Sequence, residues 1–212
     1  MTAHIQRQKL DILIGRLKEK RRFLQVVAGP RQVGKTTMVS QALKALQMEA
    51  PNIAQHSVSA DNPGLVGASW LTIQWETARR MALEAGACIL VLDEVQKLPQ
   101  WTEEIKRLWD EDTREERDVR AVILGSAPLL ISRGLTESMA GRFEMTRLGH
   151  WTYAEMKAAF DFTLDEYIFY GGYPGSATLI GDEERWASYV RDALIETTIS
   201  KDVLLMTPVN KP

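Results

Sequence analysis

Residues 29–36, Gly-Pro-Arg-Gln-Val-Gly-Lys-Thr, have the types and the spacing of a phosphate-binding loop, G-x-x-x-x-G-K-[ST]. Glycine tolerates positive φ and close approach, so the backbone N–H groups of such a loop can curl around a phosphate. An apolar run, 23–28, precedes the loop and an amphipathic stretch follows it, which predicts a strand, a turn and a helix. A bound phosphate would then lie at the helix N-terminus, where unpaired N–H groups favour an anion. The alternative is a glycine turn with a surface lysine.

The loop also predicts which nucleotide is bound. Lys35 is expected to reach the β- and γ-phosphates, and the Thr36 hydroxyl is expected to ligate Mg²⁺, in preference to Thr37. The sequence contains no Asn-Lys-x-Asp stretch, the pattern that reads guanine, and this favours ATP. The residues predicted to hold ATP are Gly29, Pro30, Arg31, Gln32, Val33, Gly34, Lys35, Thr36 and Thr37.

Two carboxylates, Asp93 and Glu94, directly follow the apolar run 88–92. A continuously apolar run is typical of a central parallel strand that is covered on both faces. Because parallel strands end at the ligand crevice, these carboxylates are expected near the phosphates. Asp93 is predicted to bind Mg²⁺, and Glu94 to orient and deprotonate a water for attack on the γ-phosphate. The alternative is that the pair caps the next helix.

Three further residues are candidates for the reaction. Ser126 ends the next predicted strand, where its hydroxyl could contact the attacking water or the γ-phosphate, or could serve a turn. Arg142 precedes the last predicted strand and could be offered to the γ-phosphate of a neighbouring subunit. An internal salt bridge or a contact with its own nucleotide are the alternatives for Arg142, and Arg133 is the second candidate for this role. The predicted catalytic residues are Glu94, Lys35, Ser126 and Arg142.

The elements that must position these residues alternate between strands and helices, which predicts an α/β fold with a parallel sheet and helices on both faces. From Gly149 onward the pattern is helical only. We therefore predict a nucleotide-binding domain over 1–148, which begins with a helix at 4–20, and a helical lid over 149–212. The predicted strands are 23–28, 53–59, 88–92, 119–124 and 143–148, and the predicted lid helices are 153–160, 164–170 and 183–205.

Composition limits the class of protein. The chain has 212 residues, 45% of them hydrophobic, and a formal charge of −2, so no global field attracts it to nucleic acid or anionic lipid. The single cysteine, Cys88, fits a reducing compartment. No signal core and no membrane-length apolar run occurs in the sequence, so we expect a soluble, cytoplasmic protein.

Five segments of the chain carry a resemblance to a known family. They are 29–37, Leu-Asp-Glu-Val-Gln-Lys at 92–97, Gly-Ser-Ala-Pro-Leu-Leu at 125–130, Met-Ala-Gly-Arg-Phe at 139–143 and Gly-Gly-Tyr-Pro at 171–174. Together they resemble the prokaryotic AAA+-type ATPases, and the resemblance spans nearly the whole chain. It implies a P-loop NTPase three-layer fold with strand order 5-1-4-3-2, a Walker A loop at 29–36, and a Walker B pair at Asp93 and Glu94. It also implies a sensor-like Ser126, a candidate finger at Arg142 and a helical lid.

The chain departs from that pattern in two places. Members of the family generally continue into a further C-terminal domain, whereas this sequence stops at Pro212, so we expect either a chain truncated before that domain or a short homologue. A second-sensor arginine cannot be assigned in the lid, because no motif selects between Arg185 and Arg191.

The leading hypothesis is a Mg²⁺-dependent ATPase that uses hydrolysis as a conformational or assembly switch, with a homo-oligomer implied if Arg142 acts between subunits. The alternative is a nucleotide-regulated switch that binds DNA or a protein and hydrolyses little. It is motivated by a basic cluster, which is otherwise a solvated helix end. A small-molecule kinase is the third hypothesis and requires an acceptor pocket. The basic cluster comprises Lys18, Lys20, Arg21 and Arg22.

Overall fold

The computed structural model of the chain describes residues 9–61, 69–125 and 139–196. Five strands form one sheet in the order β2-β3-β4-β1-β5, and every neighbouring pair is parallel. The predicted α/β P-loop fold and its strand order, 5-1-4-3-2, are therefore confirmed. The strands are β1 Leu24–Ala28, β2 Ile53–Ser59, β3 Ala87–Asp93, β4 Val119–Gly125 and β5 Phe143–Arg147.

Helices connect the strands and follow the sheet. The predicted lid helices 153–160 and 164–170 agree with the structure, whereas the predicted helix 183–205 is an α-helix only to Tyr189, continues as a π-helix over Val190–Glu196, and then passes beyond the described residues. The α-helices are α1 Leu10–Lys18, α2 Lys35–Glu49, α3 Trp70–Ala85, α4 Trp101–Arg114, α5 Tyr153–Phe160, α6 Leu164–Tyr170 and α7 Glu183–Tyr189.

The chain forms two compact units. Among the described residues, 9–28, 35–61, 69–125 and 139–147 form the sheet unit, and 29–34 and 148–196 form the helical unit. The loop 29–34 therefore clusters with residues that come more than a hundred positions later in the sequence. The predicted domain division, 1–148 and 149–212, stays a prediction.

The core of the sheet unit lies around β3, whose residues are buried from Ala87 to Leu92. One face of the sheet packs on α3 and α4 through a large apolar cluster, in which each fully buried side chain contributes about 1.5–3 kcal/mol. Cys88 lies in this cluster, and burial raises the pKa of its thiol to about 11. Four tryptophans of the sheet unit are buried in the same cluster, as helical spacing predicts: Trp70, Trp75, Trp101 and Trp109.

A buried ion pair joins α3 to α4. Asp112 is 0% exposed and accepts hydrogen bonds from Arg79 Nε at 2.6 Å and Trp75 Nε1 at 2.7 Å. A run of charges such as 111–118 normally indicates a solvated surface, but Asp112 is buried. Asp112 continues the apolar stripe of α4 four positions after Leu108, so helical geometry turns its carboxylate inward, where the guanidinium of Arg79 compensates its charge.

The helical unit begins with two reciprocal capping boxes. Thr152 and Glu155 cap α5, and Thr163 and Glu166 cap α6, each pair satisfying backbone N–H groups that have no partner within the helix. Behind these helices lies a small core of buried residues that comprises Met156, Phe162 and Ala177.

Candidate functional site

The loop 29–34 leaves β1 with the backbone shape of an anion cradle. Gln32 has φ 60° and Gly34 has φ 90°, so two residues of this short loop lie in the left-handed region. Turns that contain left-handed residues point successive N–H groups into one concavity, where an anion can bind. At Gly29 a Cβ atom would lie 2.0 Å from the Leu148 carbonyl oxygen, so no other residue fits without a shift of the backbone.

Side chains of the helical unit contact the same loop. The indole Nε1 of Trp151 donates to the Val33 carbonyl oxygen at 3.0 Å. The Tyr189 hydroxyl donates to Gln32 Oε1, and Gln32 Nε2 donates to the Ala193 carbonyl oxygen at 3.5 Å. Sequence reasoning missed Trp151 and Tyr189, because nothing in their local patterns connects them with residues 32 and 33.

Directly after Gly34, Lys35 begins α2 in the sheet unit, and the next residue meets the end of β3. Thr36 Oγ1 donates to Asp93 Oδ2 at 3.3 Å, so the two predicted Mg²⁺ ligands lie side by side. Lys35 is only 8% exposed. Burial and, to a smaller extent, the Glu94 carboxylate raise the pKa of Asp93, while Thr36 and Lys35 act in the opposite direction. The predicted residues Lys35, Thr36, Asp93 and Glu94 therefore lie together.

Glu94 occupies a strained position at the end of β3. Its backbone is left-handed, with φ 55° and ψ 28°, a region that costs a residue with a side chain about 1–2 kcal/mol. The backbone N–H of Glu94 donates to the Leu124 carbonyl oxygen at 3.1 Å, which ties this turn to β4. Although Glu94 precedes a short 3₁₀ turn, Val95–Lys97, its side chain makes no capping hydrogen bond with any described residue, so the capping alternative is wrong for Glu94.

Two side chains contact one carboxylate oxygen of Glu94, Oε2. Gln96 Nε2 donates to Glu94 Oε2 at 2.8 Å, and the Lys97 ammonium lies 3.6 Å from the same oxygen and also contacts Asp61. The Glu94 side chain is 12% exposed. Sequence reasoning missed Gln96 and Lys97 as partners of Glu94, although both belong to the segment 92–97 that carries the resemblance.

A cavity of about 220 Å³ opens beside the Thr36–Asp93 contact. Its lining combines an apolar floor with several hydroxyl groups. Because it lies at the carboxyl ends of parallel strands, it belongs to the usual ligand crevice of an open α/β sheet. The lining residues are Thr36, Val39, Ser40, Leu43, Ser57, Val58, Ser59, Val91, Asp93 and Leu124.

The other predicted catalytic and sensor residues are not part of this cluster of described residues. Ser126 and Arg133 lie outside the described residues. Arg142 forms a two-point ion pair with Asp110, Nε to Oδ1 at 2.9 Å and Nη2 to Oδ2 at 3.4 Å. This is the salt bridge that the sequence left as an alternative. Of the two lid arginines, Arg191 is 64% exposed and its Nε lies 3.7 Å from Asp192.

The residues present fit a magnesium ion that is bound together with a nucleotide. Mg²⁺ in such sites takes one or two protein ligands and completes its shell with phosphate oxygens and water. Thr36 and Asp93 supply a hydroxyl and a carboxylate in contact, and the raised pKa of Asp93 indicates a carboxylate that a cation would stabilise. No group of three or more His, Cys, Asp or Glu side chains that could hold a metal alone occurs among the described residues.

A P-loop nucleotide-binding protein is defined by a parallel sheet with this strand order, a glycine-rich loop after β1 and paired carboxylates at the end of β3. Comparison with known families extends this to a named group. The chain belongs to the AAA domain family, whose model matches residues 21–157, more than half of the chain. Membership of this family supports nucleotide binding and hydrolysis, and it agrees with the AAA+-type resemblance of the sequence motifs.

Three of the similar solved structures illustrate the likeness. Two structures of RuvB from Thermotoga maritima are 21% and 20% identical to the chain, each with a TM-score of 0.48, and each match covers 73% of this chain and 47% of that one. Cdc6p from Pyrobaculum aerophilum is 18% identical with a TM-score of 0.49, and the match covers 76% of this chain and 48% of that one. The chain thus spans about half the length of these proteins. No curated protein matches the sequence.

Within the described ranges, no helix is both long enough and apolar enough to cross a membrane.

Proposed function

We propose that this protein is a Mg²⁺-dependent ATPase that uses hydrolysis as a conformational or assembly switch. The observation that carries the proposal is the contact between Thr36 and Asp93, 3.3 Å apart, with Glu94 at the next position. This contact places a hydroxyl ligand, a carboxylate ligand and a second carboxylate at the start of the helix that follows the glycine-rich loop. A nucleotide cradle without catalysis would not need Glu94, whose backbone is strained.

Each residue has a defined task in this proposal. The backbone N–H groups of the loop 29–34, which Pro30 alone lacks, and the ammonium of Lys35 bind and orient the phosphates. Thr36 and Asp93 would hold Mg²⁺, which would supply positive charge to neutralise the phosphates. Glu94 accepts a proton from the attacking water, and the hydrogen bond from Gln96 Nε2 to Glu94 Oε2 orients this carboxylate.

The test is release of phosphate from ATP by the purified chain. We expect turnover with Mg²⁺ and none with excess chelator, because the phosphate charge is then not neutralised. Lys35→Ala should weaken ATP binding by about 10- to 100-fold, the loss expected for one charge-assisted contact. Calorimetry with a non-hydrolysable ATP analogue measures this loss.

Lys44→Ala is the matched control for that prediction, since Lys44 lies on the same helix and is exposed. Its affinity for ATP should equal that of the wild type. Wild-type affinity in Lys35→Ala as well would contradict phosphate binding by the loop. ATP-dependent labelling of an added small molecule, without release of phosphate, would instead favour a kinase with its acceptor in the 220 Å³ cavity.

We also propose that Arg142 acts between subunits, with Asp110 as its resting partner. Both side chains are partly exposed, 37% and 40%, so the pair is a surface pair that costs at most about 1 kcal/mol to break. If Arg142 completes a neighbour's site, turnover per chain should rise with protein concentration, and Arg142→Ala should remove that rise.

Asp110→Asn separates this role from a structural one. The substitution releases Arg142 without removing it, so concentration-dependent turnover should persist or increase. A flat concentration dependence in the wild type would leave Arg142 as a partner of Asp110 only. An equal loss of turnover in both variants would show that the ion pair itself is what matters.

No contact in the described residues favours the DNA-binding alternative. Lys18 pairs with Glu49, and Arg21 binds Asp118 through its backbone N–H and stacks 3.6 Å from the ring centroid of Trp109. The Arg22 guanidinium lies 5.1 Å from the ring centroid of Phe23, so three of the four residues of the basic cluster are engaged within the chain. We place the proposed activity in the cytoplasm, a reducing compartment in which a buried free thiol such as Cys88 persists.

A further inference from the structure

We propose that Trp151 is a positioning residue for phosphate binding, which acts by fixing the peptide between Val33 and Gly34. The inference rests on the proposed function only in that the loop 29–34 binds a nucleotide. Neither a sequence motif nor the family match assigns a role to this indole.

The argument begins with one hydrogen bond. Trp151 Nε1 donates to the Val33 carbonyl oxygen at 3.0 Å. A trans peptide is planar, so the carbonyl of Val33 and the N–H of Gly34 point in opposite directions. When the indole holds the carbonyl on one side, the N–H of Gly34 must face the other side. Gly34 has φ 90°, and because glycine lacks a Cβ this peptide could otherwise rotate easily.

The backbone of Trp151 is anchored on both sides by groups of the helical unit. The backbone N–H of Trp151 donates to the Gly172 carbonyl oxygen at 2.9 Å, and the Tyr167 hydroxyl donates to the Trp151 carbonyl oxygen at 3.0 Å. A Cβ at position 172 would lie 2.1 Å from that oxygen, so Gly172 permits this close approach. Because the backbone of Trp151 is already fixed, its side chain loses less conformational entropy when the indole N–H bonds to Val33. It can therefore hold the loop in one orientation.

A second tryptophan of the same unit provides a matched comparison. Trp186 Nε1 is buried and has no hydrogen-bond partner among the described residues. Its ring packs against Tyr170, with the centroids 5.0 Å apart. Replacement of either tryptophan by phenylalanine keeps an aromatic ring and removes one N–H, but only at position 151 does that N–H contact the loop.

The experiment compares Trp151→Phe with Trp186→Phe. Trp151→Phe should weaken binding of a non-hydrolysable ATP analogue by about 3- to 10-fold, as expected for one hydrogen bond, and should raise KM while kcat is unchanged. Trp186→Phe should bind with wild-type affinity. Trp151→His, which retains a ring N–H, should recover part of the lost affinity.

Several results would overturn the inference. Wild-type affinity in Trp151→Phe, measured beside a Lys35→Ala variant whose binding is weakened, would reject the role of Trp151 and leave the proposed function intact. Absence of binding in the wild type would reject the proposed function instead. If Trp151→Phe does not fold, nuclear magnetic resonance of the wild type decides: the Trp151 indole N–H should exchange slowly with solvent and shift when the analogue binds, and fast exchange without a shift would reject the proposal.

Discussion

Glu94→Gln is expected to bind ATP with wild-type affinity and to lose turnover by about 10²- to 10⁴-fold, the range of a general base. The amide has the size of the carboxylate but cannot accept a proton, so the change removes chemistry and retains shape. In the wild type Gln96 and Lys97 both contact Glu94 Oε2. The amide oxygen of a glutamine at position 94 can accept both of these contacts. Phosphate release and calorimetry on the same preparation measure the two effects separately.

Glu84→Gln is the control, because Glu84 is exposed near the end of α3 and the change alters charge equally. Its turnover should equal that of the wild type. If Glu94→Gln retained turnover, Glu94 would not be the base, and the strain at φ 55° would have to serve the turn alone. A parallel loss of affinity and turnover would point instead to an altered phosphate site.

Asp112→Ala should lower the free energy of unfolding by about 3–5 kcal/mol, because it leaves the buried guanidinium of Arg79 without its counter-charge. It also removes the acceptor of the Trp75 indole. A loss of this size is a large fraction of the 5–15 kcal/mol that is typical of a folded domain. Denaturation in urea, followed by circular dichroism, measures it.

Two variants make this prediction specific. Glu111→Ala removes a carboxylate that also pairs with Arg79 but is 26% exposed, and it should cost about 1 kcal/mol or less. In the double variant Arg79→Leu with Asp112→Leu both charges are gone, so most of the lost stability should return. Equal losses in Asp112→Ala and Glu111→Ala would show that burial does not govern the strength of this network.

The sheet and the cluster of Lys35, Thr36, Asp93 and Glu94 could be predicted from the sequence for a definite physical reason. The glycines of 29–34 and the apolar run before Asp93 are local signals, and a parallel sheet brings strand ends together whatever the loops do. The contact of Thr36 with Asp93 follows from that rule. The strand order came from the resemblance and not from periodicity, because local patterns do not determine which strands are neighbours.

The partners of Arg142 and Trp151 could not be predicted, because each contact joins two residues that are distant in sequence. The partner of Arg142 is 32 positions away and that of Trp151 is 118 positions away, and neither separation leaves a local pattern. Asp112 is different, because its place on the stripe of Trp101, Ile105 and Leu108 was visible. The acidic neighbours concealed it, since a run of charges normally indicates a solvated surface.

The hydrogen bond between Trp151 and Val33 has a consequence for the order of events during synthesis. Ribosomes extend the chain from the N-terminus, so β1 and the glycine-rich loop emerge long before residue 151. The strands of the sheet unit can pair as soon as β5 has emerged, yet the Val33 carbonyl meets its indole donor only after residue 151 and its Gly172 anchor have also left the ribosome. A nascent chain can therefore pair its strands before the Val33 carbonyl has its indole donor.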